Sequence, residues 1–240
     1  MRRLLIALTI VAAATCVPLT GATATAVATE TPRHDVSPLA TRPDPVLLVH
    51  GFNGSGASWH ALVRRLLAAG YPRDDIDAIS YDSRRSNVDT AHEIASAVDA
   101  LLARTGARKV DVVSHSMGAI SARYYVERLG GEEKVDAFVS LAGVNHGTVL
   151  AFGCAVFVSC REMIPGSSLL DRLAPDVSRD APVRFGAWWS PCDDAIVPRA
   201  NAELGGATNT ETRCLGHSDV TTDPGVLTQV VAFIDRPHTA

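Results

Sequence analysis

Short apolar segments alternate with longer amphipathic segments along the chain from residue 45 onward. The short apolar runs predict five strands, because a strand buried on both faces of a parallel sheet is apolar at nearly every position. The longer segments carry apolar residues three and four positions apart, which predicts helices. The predicted strands cover 46–49, 77–80, 110–113, 135–141 and 183–189, and the predicted helices cover 58–69, 88–104, 117–129 and 223–234.

This order of elements predicts an α/β fold, a three-layer sandwich in which helices cover both faces of a mostly parallel sheet. Neither repeats nor a shift in composition divide residues 45–240, so we expect one folded domain there. Residues 29–44 are rich in proline, threonine and alanine and predict a flexible leader.

The first 28 residues have a different pattern. Arg2 and Arg3 precede an apolar run, and the small residues at 26–28, Ala-Val-Ala, close it. This pattern is typical of a secretory signal peptide with its cleavage site. We therefore expect a secreted, extracellular protein with no transmembrane anchor after processing. The alternatives are a retained membrane anchor, although the run contains threonine and proline, and lipid attachment at Cys16, whose preceding residues match a lipobox poorly.

Composition narrows the classes of function. The chain of 240 residues is 47% hydrophobic, which suits a packed core rather than a disordered protein. Its net charge is −4, so the chain lacks the excess of basic residues that neutralises the phosphates of a nucleic acid. We therefore expect no nucleic-acid partner.

Four cysteines remain once Cys16 is removed with the signal peptide, and an oxidising compartment then predicts two disulfide bonds. Three pairings are possible, and we favour the local one, which joins Cys154 to Cys160 and Cys192 to Cys214. A zinc site is the alternative, but the sequence contains no C-x-x-C motif to support it.

A serine stands between a predicted strand and a predicted helix. The motif at 114–118, Ser-His-Ser-Met-Gly, follows the strand at 110–113 directly. A serine at the tip of a strand-turn-helix junction, with small residues two positions before and after it, is typical of a nucleophile elbow. Ser116 is therefore the candidate nucleophile, with Ser114 where glycine is usual.

A glycine-rich turn, His-Gly-Phe-Asn-Gly-Ser-Gly at 50–56, follows the first predicted strand. Backbone N–H groups in such a turn can converge on a developing negative charge, and we expect the donors to be Phe52 and Met117. Phosphate binding is the alternative use, but the motif G-K-[ST] is missing from this turn. We expect His50 to order the loop rather than to act as a base.

The candidate base and acid follow from chain order. His217 lies shortly before the last predicted helix, as the base does in hydrolases with this elbow, and the acid is expected after the strand at 183–189. That loop offers Asp193 and Asp194. The form D-x-I-V-P favours Asp194, whereas Asp193 adjoins Cys192, and both aspartates stay open as the acid.

Together, in this order, these motifs resemble the small secreted bacterial triacylglycerol lipases and esterases of the lipase class 2 type, over about residues 45–235. The resemblance implies a minimal α/β-hydrolase core without a large cap and an acyl-enzyme mechanism on lipid esters. That mechanism requires no cofactor, and we expect no metal among the site residues, whereas structural calcium stays open. The site residues it implies are Ser116 as nucleophile, His217 as base, Asp193 or Asp194 as acid, and Phe52 and Met117 as oxyanion donors.

Two other functions stay open at this point. One is a short-chain carboxylesterase or polyester hydrolase with the same triad, and the other is a non-catalytic secreted binding protein on a hydrolase scaffold. Residues 149–176 have room for a small lid, and apolar residues at 151–158 and 169–173 are candidates for an acyl groove. We expect a monomer whose partner is an ester substrate.

Overall fold

A computed structural model describes residues 43–236. The predicted signal peptide at 1–28 and nearly all of the predicted leader at 29–44 lie outside this range, so both stay predictions. Between residues 43 and 236, no helix is long and apolar enough to cross a membrane.

Within residues 43–236, six parallel strands form one sheet. The strands are β1 (Val46–Val49), β2 (Ile76–Ala78), β3 (Val110–His115), β4 (Val135–Leu141), β5 (Arg184–Trp189) and β6 (Thr208–Glu211). Their order across the sheet is β2-β1-β3-β4-β5-β6. Strands β1 and β4 are buried at every position, which suits the apolar sequence of β1 and the mostly apolar sequence of β4.

Helices cover both faces of the sheet. The helices are α1 (His60–Ala68), α2 (Asn87–Thr105), α3 (Gly118–Arg128), α4 (Val158–Met163) and α5 (Pro224–Ile234). Alternate side chains of β1 point to opposite faces, so Leu48 packs with α1 and α5, whereas Leu47 packs with α2 and α3. The predicted three-layer α/β sandwich is confirmed.

Two elements escaped the sequence pattern. Strand β6 is polar and largely exposed, so its sequence contains no apolar run from which a strand could be predicted. Helix α4 has six residues, too few for a recognisable helical period. The start of the predicted helix at 58–69 is instead a 3-10 helix, Gly56–Trp59, ahead of α1.

Residues 149–163 form a compact segment above the carboxyl ends of the strands rather than a large cap. It contains a 3-10 helix, Val149–Cys154, followed by α4. The Glu162 carboxylate accepts hydrogen bonds from the Ser86 hydroxyl at 2.7 Å and from the Asn87 backbone N–H at 2.6 Å. A carboxylate at the N-terminus of a helix also interacts well with the helix dipole, so this contact fastens the segment to α2.

Candidate active site

Ser116 lies on the tight turn between β3 and α3. Its φ of 56° is in the left-handed region, and its N–H donates to the Leu141 carbonyl at 3.0 Å. A Cβ on Gly118 would come within 2.3 Å of the His50 carbonyl oxygen, so only glycine allows α3 to approach β1 this closely. The turn therefore presents the Ser116 side chain at the carboxyl edge of the sheet, where it is 8% exposed.

The departure from the usual elbow sequence is accommodated locally. Ser114 is fully buried, and its hydroxyl donates a hydrogen bond to the Val139 carbonyl of β4 at 2.8 Å. A buried hydroxyl with a partner avoids the cost of an unsatisfied polar group, so serine fits where glycine is usual.

Three side chains form a chain of hydrogen bonds. The Ser116 Oγ lies 2.8 Å from His217 Nε2, and His217 Nδ1 lies 2.9 Å from Asp193 Oδ2. Asp193 Oδ1 also accepts the backbone N–H groups of Ala195 at 2.8 Å and Ile196 at 2.9 Å. The candidate nucleophile, the candidate base and one candidate acid thus meet in one place.

The electrostatics of this contact favour an ionised carboxylate. Burial is the largest single influence on the Asp193 pKa and raises it. The hydrogen bonds from the His217 imidazole and from the backbone N–H groups of Ala195 and Ile196 together outweigh burial, and the pKa is lowered. The carboxylate therefore carries its charge next to the imidazole at neutral pH.

The two neighbouring aspartates have different contacts. The side chain of Asp193 faces the His217 imidazole, whereas Asp194 Oδ1 accepts the backbone N–H of His217 at 3.0 Å. The D-x-I-V-P pattern favoured Asp194, but the structure puts Asp193 at the ring. Both side chains therefore contact the same histidine, at different atoms.

The loops that carry Asp193 and His217 are joined by more than one contact. A disulfide bond links Cys192 to Cys214. Nearby, the Ser190 hydroxyl accepts the backbone N–H of Leu215 at 2.9 Å and donates to its carbonyl at 2.7 Å. Sequence reasoning did not single out Ser190, because this contact spans 25 positions.

The motif at 145–148 also forms hydrogen bonds with the loop that carries Asp193, at residues 195–197. The Thr148 hydroxyl donates to the Ala195 carbonyl at 2.8 Å and accepts the Val197 backbone N–H at 3.0 Å. The second disulfide bond, between Cys154 and Cys160, lies in the segment that follows this motif.

Removal of the Cys192–Cys214 bond is expected to lower the free energy of unfolding by about 3 kcal/mol, because the bond closes a loop of about 22 residues. For a domain of this size, that corresponds to a melting temperature lower by about 6–12 °C. Thermal unfolding of the Cys192→Ala/Cys214→Ala variant and of the wild type measures this difference in melting temperature. The Cys154→Ala/Cys160→Ala variant is the comparison, and its shorter loop predicts a smaller drop. Equal melting temperatures for the wild type and both variants would contradict the prediction.

The glycine-rich turn packs directly on the nucleophile. A Cβ on Gly51 would lie 2.7 Å from Ser116 Cβ, which explains the glycine. Among residues 43–236, no protein group accepts a hydrogen bond from the backbone N–H of Phe52 or Met117. Both residues adjoin Ser116, Phe52 in the turn and Met117 at the start of α3.

His50 has contacts that order this turn. Its Nε2 accepts the Tyr81 backbone N–H at 3.3 Å, so the proton lies on Nδ1, which donates to the Gly51 carbonyl at 2.8 Å. The Tyr81 ring stacks on the imidazole with centroids 4.0 Å apart, and its hydroxyl donates to the His50 carbonyl. Burial lowers the His50 pKa, which favours this neutral form.

A cleft of about 260 Å³ opens beside Ser116 and His217 and is lined by Phe52, Trp59 and the glycine-rich turn. A larger cavity of about 600 Å³ includes residues 178–185 in its lining and contains none of the candidate site residues.

Exposed apolar side chains lie in the segment next to the cleft. The Phe157 ring in this segment lies 5.9 Å from the ring of Phe52, which lines the cleft. We call the exposed group the apolar ridge: Val149, Leu150, Phe152, Val156 and Val158, with exposed fractions between 40% and 80%.

The family model for Lipase (class 2) matches residues 43–211, more than half of the chain. The chain belongs to the class 2 lipases. This membership, predicted from the motifs, makes it a member of a family of carboxylic ester hydrolases. A triacylglycerol lipase of Pseudomonas fragi is 28% identical over 112 residues, which are 45% of this chain and 36% of that protein. The match thus spans little more than a third of its relative.

Solved structures share the fold of this class 2 lipase. The mature form of a Bacillus licheniformis lipase has a TM-score of 0.69 at 16% identity, over 82% of this chain and 94% of that one. Lipase B of Aspergillus fumigatus has a TM-score of 0.68 at 17% identity, over 81% of this chain and 53% of that one. An esterase of a Rhodococcus species has a TM-score of 0.55 at 16% identity, over 80% of this chain and 90% of that one. Together they confirm the α/β-hydrolase fold without a large cap.

Proposed function

We propose that this protein is a secreted serine hydrolase that cleaves the carboxylic esters of lipids, triacylglycerols among them. The proposed triad is Ser116, His217 and Asp193. The observation that carries the proposal is the hydrogen-bonded chain of these three side chains at 2.8 and 2.9 Å. Membership of a family of ester hydrolases supports the reaction class.

In the first half of the reaction, Ser116 Oγ attacks the ester carbonyl carbon while His217 Nε2 takes the proton of the Ser116 hydroxyl. The carbonyl oxygen becomes negatively charged, and the N–H groups of Phe52 and Met117 donate to it. The C–O bond to the alcohol then breaks, His217 returns the proton to the departing alcohol, and the acyl group stays on Ser116.

In the second half, water attacks the acyl-enzyme. His217 takes a proton from the water as it attacks, and then delivers that proton to Ser116 Oγ as the carboxylic acid leaves. Asp193 stabilises the imidazolium in both halves, because its charged carboxylate accepts a hydrogen bond from the Nδ1–H group. The reaction needs no redox partner, since it exchanges only protons and an acyl group.

Lipid esters are the proposed substrates for two reasons. The Pseudomonas relative is named a triacylglycerol lipase, and the apolar ridge belongs to the segment whose Phe157 ring lies 5.9 Å from the Phe52 ring in the cleft lining. The cleft itself, at about 260 Å³, is smaller than the roughly 300–1,000 Å³ of most ligand pockets. A long acyl chain would therefore extend out of the cleft, over the ridge. The small cleft favours the second candidate, a short-chain carboxylesterase.

A series of esters with acyl chains of increasing length separates these two candidates. If the ridge binds acyl chains, long-chain emulsified triacylglycerols are hydrolysed, and Phe152→Ser lowers this activity severalfold while short soluble esters are less affected. Each buried methylene contributes about 0.8 kcal/mol, so loss of a few contacts is measurable. Leu67→Ser is the matched control, because Leu67 is 41% exposed on α1, outside the ridge and the cleft lining. Activity confined to short chains would instead favour the esterase.

A further inference from the structure

Both backbone polar groups of His217 are held by side chains of other elements. Its N–H donates to Asp194 Oδ1 at 3.0 Å, and its carbonyl oxygen lies 3.1 Å from His115 Nε2. Because a carbonyl oxygen only accepts, the His115 Nε2 is the protonated nitrogen and donates. The His115 and His217 rings also pack with centroids 4.8 Å apart.

We propose that Asp194 and His115 are positioning residues that fix the His217 backbone from both sides and thereby hold its imidazole between Ser116 and Asp193. This inference rests on the triad proposed above. It gives separate tasks to the two adjacent aspartates: Asp193 orients the ring, and Asp194 holds the main chain behind it.

The base needs such support because of where it lies in the chain. His217 belongs to no helix or strand, and the loop reaches a 3-10 helix only at Asp219–Thr221. A displacement of about 1 Å in a reacting group can reduce a rate by about a hundredfold. With both main-chain groups fixed, fewer movements of the loop can take His217 Nε2 away from Ser116 Oγ.

Asp193 is not free to take over the second task. Its Oδ1 already accepts the N–H groups of Ala195 and Ile196, and both of its oxygens contact His217 Nδ1. The backbone N–H of His217 therefore needs another acceptor, and the neighbouring carboxylate supplies it.

His115 can donate without bringing a charge to the site. Burial, followed by the nearby His217, lowers the His115 pKa to about 3, against smaller raising effects of the hydrogen bond to the His217 carbonyl and of Asp193. A neutral ring next to His217 does not oppose the imidazolium that forms during the reaction.

The test compares removal of each hydrogen bond with its conservative replacement, using kcat and KM on the soluble substrate p-nitrophenyl butyrate. Asp194→Ala removes the acceptor, whereas Asp194→Asn keeps an oxygen. His115→Phe removes the donor but keeps a ring, whereas His115→Gln keeps a side-chain N–H. Titration of active sites with a fluorophosphonate expresses every kcat per competent molecule, so partial unfolding does not count as lost activity.

We expect Asp194→Ala and His115→Phe each to lower kcat about tenfold with KM changed less than twofold, and the conservative variants to recover most of the loss. The double variant should lose less than the product of the single losses, because both act on one loop position. Unchanged kcat per site, a change in KM alone, or no recovery by the asparagine and glutamine replacements would overturn the inference.

The failure of this inference differs from a failure of the proposed function. If the wild type hydrolyses the ester and Ser116→Ala does not, but the variants at 115 and 194 match the wild type, only the positioning role is wrong. If the wild type lacks activity, or if Ser116→Ala retains it, the proposed triad is wrong and the positioning role with it.

Discussion

Replacement of Ser116 by alanine is expected to lower kcat for p-nitrophenyl butyrate by about 10⁴-fold or more, as loss of the nucleophile does in known serine hydrolases. The fold should be unaffected, because alanine keeps the Cβ that packs against Gly51 and leaves the backbone bond to Leu141 in place. Ester hydrolysis together with circular dichroism and thermal unfolding measures both effects.

The matched control for this variant is Ser96→Ala, which removes an exposed hydroxyl from α2 and should leave activity at the wild-type level. Labelling with a fluorophosphonate adds a direct test, because the probe should modify the wild type and the control but not Ser116→Ala. Hydrolysis by Ser116→Ala within tenfold of the wild type would remove Ser116 from the mechanism. A wild type that neither reacts with the probe nor hydrolyses esters would favour the non-catalytic binding protein.

Replacement of Asp193 by asparagine is expected to lower kcat by about 10³–10⁴-fold. The oxygen of the introduced amide would still accept the backbone N–H groups of Ala195 and Ile196, so the amide nitrogen would face His217 Nδ1. An amide N–H donates, which favours the imidazole tautomer with its proton on Nε2. That tautomer cannot take the proton of Ser116.

The neighbouring position provides the comparison. Asp194→Asn keeps an oxygen for the His217 N–H, so we expect a loss of no more than about threefold. Steady-state kinetics on the same soluble ester, with melting temperatures for both variants, makes the measurement. A larger loss at Asp194 than at Asp193 would assign the acid to Asp194, and equal mild losses would mean that neither serves.

The buried strands and the nucleophile turn were predictable because their signals are local. Strand β4 is apolar along most of its length, and Ser116 stands between small residues at a strand-helix junction. Strand β6 was not predictable in this way, because its four residues are polar and its place in the sheet depends on hydrogen bonds to β5.

The choice between Asp193 and Asp194 shows where local signals end. Adjacent carboxylates in a loop have the same charge and nearly the same surroundings in sequence. Which of them faces the ring depends on the path of the loop, which the turn from Ser190 and the bonds to the loop at 214–217 determine. The stacking of Tyr81 on His50 could not be predicted from local sequence either, because the two residues are 31 positions apart.

The polar sequence of β6, which made this strand hard to predict, also affects whether two copies of the protein can associate through the edges of their sheets. An edge strand with unpaired backbone groups can pair with the edge of another molecule, and apolar edges do so most readily. Here one edge is Thr208–Glu211, polar throughout and ending in a carboxylate, and the other is β2, with only three residues. Neither edge offers a long apolar template, so the sheet resists aggregation through its edges.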